Sequence, residues 1–129
     1  MRLATVTLVV DDYDRAITWF SDALGFDLLE DSDLGGGKRW VLMAPPGGGA
    51  RILLARATID IERSAIGTQT GGRVGFFLET SNFTRDHARM MSNGVEFLEN
   101  PRRESYATVA VFQDLCGNGW DLIELATAV

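Results

Sequence analysis

The sequence predicts an α+β fold in which two βαβββ modules form one curved mixed β-sheet with a concave cavity. The main observation is an internal repeat. Residues 6–31 and 74–100 each contain an apolar strand, a polar turn, an amphipathic helix, a glycine and a second strand. Two more strand-like segments follow each copy. One helix cannot cover both faces of four strands, so the other face must meet a second sheet or enclose a cavity.

The first module is predicted to cover about residues 1–57. Its helix, Tyr13 to Leu24, follows Asp12, a residue type that commonly caps helix N-termini. The helix ends before Gly25, which suits a left-handed position after a helix. Apolar and β-branched runs predict the strands. These strands are 5–10, 26–30, 38–44 and 51–56, with a flexible loop at 34–37 and a turn at 45–49.

A weakly patterned connection, about residues 58–72, separates the modules and includes one helical turn near 61–65. The second module, about residues 73–129, repeats the order of the first. Its predicted strands are 73–78, 95–98, 107–113 and 120–125, and its helix is 82–92. The length is close to the commonest size of one domain, so residues 1–129 are predicted to form a single domain.

Composition excludes several classes of protein. One cysteine rules out an internal disulfide framework, and no apolar stretch reaches the length that a bilayer requires. A net charge of −6 disfavours binding to nucleic acid, although a local basic pocket can still hold an anionic ligand. The N-terminus runs directly into a strand without a cleavable apolar segment, which predicts a cytoplasmic protein without membrane association.

Three stretches carry a resemblance to a known family. They are VTLVVDDYDRAITWFSDALGF in the first module, and SNGVEFLENP and TVAVFQDLCGNGWDLIEL in the second. Together they resemble the vicinal oxygen chelate superfamily, which includes glyoxalase I, bleomycin-resistance proteins and extradiol dioxygenases. The last stretch is similar to the family ending D-P-x-G-N-x-x-E-L, with Leu115 and Cys116 after Asp114 and with Asp121 in place of the glutamate.

The resemblance implies where a metal would bind. Each module of the family's enzymes supplies a His or Gln from its first strand and a Glu from its last strand. Those positions correspond here to Thr5 and Arg73, and to about Leu53 and Asp121. Only Asp121 is a competent ligand, and Arg73 brings a permanent positive charge. The sequence therefore predicts no metal and no cofactor in this site.

Arg73 and Asp121 allow a sharper hypothesis, because the resemblance puts them at the two ligand positions of one module. They would form an ion pair in the vacated site, or Arg73 would hold a ligand carboxylate or phosphate. The alternative is that Arg73 begins a strand near solvent and Asp121 caps an edge.

Aromatic residues supply further ligand-binding candidates. Tyr106 precedes the third strand of the second module and would point into the cavity or into water. Trp40 and Trp120 would wall a pocket, although core or interface packing is the commoner role of tryptophan. His87 is predicted to be a solvated helix residue, and Cys116 has no evident activating base or positive group.

These observations favour a protein that binds a small organic ligand, anionic or aromatic, without metal chemistry. One alternative is a divergent lyase, isomerase or dioxygenase-like enzyme that uses Tyr106, Asp121 and Arg73 as acid, base and oxyanion stabiliser. Another is a structural module with a vestigial site. A homodimer is expected, because half-open sheets leave apolar surface and two-module members of the superfamily commonly pair.

Overall fold

The computed structural model describes residues 1–127 and divides them into two compact units. Unit 1 is Met1–Gln69, and unit 2 begins at Thr70. Each unit contains one βαβββ repeat, which confirms the predicted α+β class. The elements of unit 1 are β1 Thr5–Val10, α1 Tyr13–Leu24, β2 Asp27–Gly35, β3 Lys38–Ala44, β4 Arg51–Arg56 and α2 Asp60–Ala65. Those of unit 2 are β5 Phe76–Glu79, α3 Phe83–Ser92, β6 Glu96–Phe97, β7 Arg102–Arg103, β8 Ala107–Gln113 and β9 Gly119–Leu125.

The strands pair within each unit and form two mixed sheets, not the one sheet predicted. Unit 1 has the order β1-β4-β3-β2, and unit 2 has β5-β9-β8-β6 with β7 paired to β8.

In unit 1 a side chain covers the outer edge of β1. Gln69 donates from Nε2 to the carbonyl of Thr7 at 2.6 Å and accepts from the amide of Val9 at 2.8 Å. Edge strands are commonly blocked in ways of this kind.

In unit 1, α1 packs on one face of the sheet. Asp12 accepts from the amide of Arg15 and caps the helix, and Gly25 ends it with φ 70°, as the sequence predicts. The core below α1 contains Phe20, Leu8, Val41, Met43 and Leu54, all buried. Side chains alternate between the two sides of a strand, so each sheet has one side that faces the helix of its unit and one that does not. We call the side that does not face the helix the open face.

Two elements of unit 1 differ from the prediction. β2 continues beyond residue 30 to Gly35 as an exposed edge strand, and only Gly36 and Gly37 form the turn to β3. The carboxylate of Asp33 accepts from the amide of Gly35 at 2.7 Å, and all three glycines have positive φ. Glycine tolerates that backbone, so the expected flexible loop becomes a tight hairpin turn.

Unit 2 follows the same plan with shorter strands. β5 begins at Phe76, not at residue 73, because the hydroxyl of Thr70 donates to the carbonyl of Arg73 in a preceding turn. β7 was not predicted, since two residues give no alternating pattern.

The helix side of unit 2 has an aromatic core. Phe112, Trp120 and Leu122 are buried below α3. His87 is not the solvated residue predicted: its ring lies 5.3 Å from that of Phe83 and 4.4 Å from that of Phe97. Helix spacing puts His87 four residues after Phe83, on the same face, so the two rings stack. Among the described residues, no helix is long and apolar enough to cross a membrane.

Candidate functional site

Strand register defines the candidate site on the open face of unit 2. Asp121 lies in β9 between Phe77 of β5 and Val111 of β8. Residues that are directly opposite in a ladder point to the same face, so these three side chains are neighbours. Phe77 is 64% exposed, although aromatic rings of this size are usually buried. This exposed ring beside a carboxyl group is the centre of the site.

Asp121 is an unusual carboxyl group. Its Oδ1 is buried and has no hydrogen-bond partner within residues 1–127. Burial raises the pKa of Asp121 above its ordinary value; the positive charge of Arg102 lowers it, and the negative charge of Glu99 raises it again. A buried polar atom without a partner is costly, and such atoms deserve an explanation in function or in strain.

Arg102 is the cation whose charge acts on the pKa of Asp121, and two glutamates form ion pairs with it. Its Nε donates to both carboxylate oxygens of Glu99 at 3.0 Å, and its Nη1 donates to Glu104 at 3.2 Å. Glu99 also accepts from the amide of Val111 at 3.1 Å, which ties this cluster to β8 beside Asp121. Arg102 was not identified as a site residue from the sequence. The glutamates Glu99 and Glu104, three and two residues away from it in the sequence, were a signal for a local ion-pair cluster.

The predicted ion pair between Arg73 and Asp121 is not formed within the part of the chain that the structure describes. Asp121 is level with Phe77 in the parallel ladder, and Arg73 lies four residues earlier. The backbone of Arg73 and Val74 passes close to Gly119, which lies two residues before Asp121. Arg73 is exposed and precedes β5 in a turn. Register, which the sequence did not reveal, therefore separates the two charges.

The aromatic candidates lie in different environments. Trp120 is only 3% exposed, stacks on Phe76 at 4.5 Å and donates from its indole nitrogen to Asp114, so it belongs to the core of unit 2. Tyr106 is 58% exposed and precedes β8. Strand alternation puts it on the face opposite to Asp121.

In unit 1, Trp40 and Thr5 both lie on the open face of the sheet. Trp40 in β3 is 41% exposed, and Thr5 in β1 is half-buried and level with Arg51. Trp40 is opposite Ser32 of the edge strand β2. Both residues thus face the same side of the sheet of unit 1, whereas Asp121 belongs to unit 2.

The D-x-x-G-N stretch is a structural turn. Asp114 is buried, and its Oδ1 accepts from the amides of Cys116 and Asn118 at 2.9 and 3.1 Å. Its Oδ2 accepts from the side chain of Asn118 and the indole of Trp120, both at 3.0 Å. Gly117 has φ 99°, which favours glycine. The turn fixes the start of β9 and therefore the position of Asp121, two residues after Gly119.

Comparison with known proteins agrees with this architecture. The sequence-family model of the Glyoxalase/Bleomycin resistance protein/Dioxygenase superfamily matches residues 2–122. The chain belongs to this superfamily. It is 48% identical to an uncharacterised protein of Shewanella frigidimarina, over 93% of this chain and 90% of that one.

Among solved structures, TnmS3, an antibiotic binding protein from Streptomyces sp. CB03234, has a TM-score of 0.77 and 26% identity, over 98% of this chain and 97% of that one. A glyoxalase/bleomycin resistance protein from the same organism has a TM-score of 0.70 and 28% identity, over 92% and 96% of the two chains.

The superfamily's metal site can be tested against these residues. Phe77 lies six residues before Phe83, the first residue of α3, as Thr7 lies six residues before Tyr13, the first residue of α1. Thr7 is level with Leu53 in the ladder, as Phe77 is level with Asp121. The side chain of Leu53 has no donor atom.

No group of three or more His, Cys, Asp or Glu residues suited to a metal occurs among residues 1–127. Asp121 has the Arg102 guanidinium in its electrostatic environment, and Glu99 is already bound to Arg102. The donor set does not suit the superfamily's divalent metal.

Asp121→Asn is expected to make the protein slightly more stable at pH 7. The raised pKa means that the folded chain binds the proton more tightly than the unfolded chain does. Stability therefore falls as pH rises between the unfolded and folded pKa values, and the cost is fully present above both. Urea unfolding of wild type and Asp121→Asn at several pH values measures this, with the exposed Asp22→Asn as control. A difference that does not shrink on acidification would contradict the assignment.

Proposed function

We propose that this protein binds a small organic ligand on the open face of unit 2, without metal chemistry. The observation that carries the proposal is the carboxyl of Asp121, whose Oδ1 has no hydrogen-bond partner among residues 1–127 and which lies beside the exposed ring of Phe77. Ligand sites combine apolar surface with a few polar groups that fix orientation. The similarity to TnmS3, an antibiotic binding protein, supports a small organic molecule as the ligand.

An enzyme built on Tyr106, Asp121 and Arg73 is less well supported. Acid–base catalysis needs its groups within hydrogen-bond reach of one reacting atom. Alternation puts Tyr106 on the opposite face of the sheet from Asp121, and Arg73 lies four residues from the level of Asp121. These three side chains are not brought together in unit 2.

A thermal-shift screen with aromatic and polycyclic compounds tests the proposal. A ligand at 100 times its dissociation constant is expected to stabilise the protein by about 2.7 kcal/mol. Phe77→Ala should weaken the best ligand by about tenfold, which is about 1.4 kcal/mol, because the apolar contact beside Asp121 is lost. Leu34→Ala, which removes an exposed apolar side chain of unit 1, is the matched control and should bind as wild type does.

Two results would refute this function. One is a screen in which no compound stabilises the wild-type protein, which would favour a vestigial site. The other is a ligand whose affinity is the same for Phe77→Ala, Leu34→Ala and wild type, because binding would then occur elsewhere on the chain.

A further inference from the structure

The charges on the open face of unit 2 restrict the chemistry of its ligand. This inference rests on the proposed function. The register puts Glu79 of β5 and Arg102 of β7 on the same face as Asp121, and Glu96 is opposite Gln113 there. With Glu99 and Glu104, which contact Arg102, five carboxyl groups surround this surface.

The positive charges of this surface are poorly placed for an anionic ligand. Arg102 already donates to both Glu99 and Glu104, so a ligand carboxylate or phosphate that approached its guanidinium would meet the negative charge of these two carboxylates. Arg73 is exposed, lies in a turn before β5 and forms no ion pair with Asp121 among residues 1–127. The anionic ligand considered from the sequence is therefore disfavoured.

The carboxylates differ in how well they are satisfied. Glu96 accepts from the side chain of Gln113 at 2.7 Å, and Glu99 and Glu104 accept from Arg102. Asp121 has neither a hydrogen bond nor an ion pair within the described residues, and its Oδ1 is fully buried. Its neighbour Phe77 offers an exposed ring face, and rings attract cations through their quadrupole. A carboxylate next to such a ring favours a positively charged group.

We propose that the ligand carries a cationic nitrogen, such as a protonated amine on an aromatic body, which binds between the carboxylate of Asp121 and the ring of Phe77. The nitrogen donates a hydrogen bond to Oδ2 of Asp121, because Oδ1 is fully buried, and places its positive charge against the ring. The aromatic body covers the apolar surface that Val111 and Ile123 contribute on the same face. Charge-assisted hydrogen bonds of this kind are among the strongest that proteins form.

Three indole compounds that differ mainly in charge provide the test: tryptamine, N-acetyltryptamine and indole-3-propionate. We would titrate each into the full-length protein and follow backbone amide shifts by NMR. Tryptamine is expected to bind at least fivefold more tightly than the neutral compound, and indole-3-propionate most weakly. In Asp121→Asn the advantage of tryptamine over N-acetyltryptamine should fall below twofold, whereas Glu104→Gln, in which Arg102 keeps Glu99, should retain most of it.

The outcomes separate this inference from the proposed function. Equal binding of the three compounds, or tightest binding of the anion, overturns the cationic ligand and leaves a small-molecule site on this face. Preference for tryptamine that persists in Asp121→Asn also overturns the inference, because another carboxylate would then be the partner. If none of the three shifts any amide of β5, β8 or β9 at millimolar concentration, both the inference and the proposed site fail.

Discussion

Asp114→Ala is expected to destabilise the protein by about 3–5 kcal/mol, because several buried donors lose a charged acceptor at once. Four hydrogen bonds of 2.9–3.1 Å converge on this carboxylate, from Cys116, Asn118 and Trp120. The indole bond joins the turn to the aromatic core of unit 2, so the loss extends beyond the turn. Equilibrium unfolding in urea gives the free energy of unfolding for each variant.

Asp33→Ala is the matched control for this prediction. Asp33 also holds a turn by accepting from a backbone amide, that of Gly35 at 2.7 Å, but it is exposed. Water replaces its hydrogen bond on truncation, so the expected loss is below about 1 kcal/mol. Equal losses for the two aspartates would show that burial at Asp114 does not matter, and the structural role given to the D-x-x-G-N turn would be wrong.

Elements with strong local signals were predictable from the sequence. The bounds of α1 follow from Asp12 and Gly25, since a side-chain cap and a left-handed glycine are local features. The ranges of β1, β3, β4 and β8 agree for a similar reason, because apolar runs between turn residues define them. β2 was predicted too short, because its pairing with β3 extends a polar segment that has little strand signal of its own.

The candidate site was less predictable, because strand register and side-chain partners are not local. Asp121 was identified from the motif, and the structure adds that its Oδ1 has no hydrogen-bond partner in the described part of the chain. Arg73 was paired with it on the assumption that matched motif positions are adjacent, but the ladder puts Phe77 there instead. Phe77 lies beside Asp121 because β5 pairs with β9, and Arg102 is brought to the same sheet because β7 pairs with β8. No spacing in the sequence indicates either pairing.

Tyr13→Ala is expected to cost about 3–5 kcal/mol, as large-to-small changes of aromatic core residues do. Tyr13 begins α1 and is 7% exposed. Two guanidinium groups lie near its ring, that of Arg39 at 5.1 Å and that of Arg56 at 5.8 Å from the centroid. Its hydroxyl accepts from the amide of Arg39 at 3.2 Å. The ring thus links the first turn of the helix to β3 and β4.

Tyr13→Phe separates the ring from the hydroxyl in this prediction. It keeps the aromatic packing and the cation–π contacts and removes one hydrogen bond, so the expected loss is about 0.5–1.5 kcal/mol. Tyr106→Ala is the control, since Tyr106 is 58% exposed and should change stability by less than about 0.5 kcal/mol. If Tyr13→Phe cost as much as Tyr13→Ala in urea unfolding, the hydroxyl would hold α1 against the sheet. If both were neutral, burial of the ring between Arg39 and Arg56 would contribute nothing to the stability of unit 1.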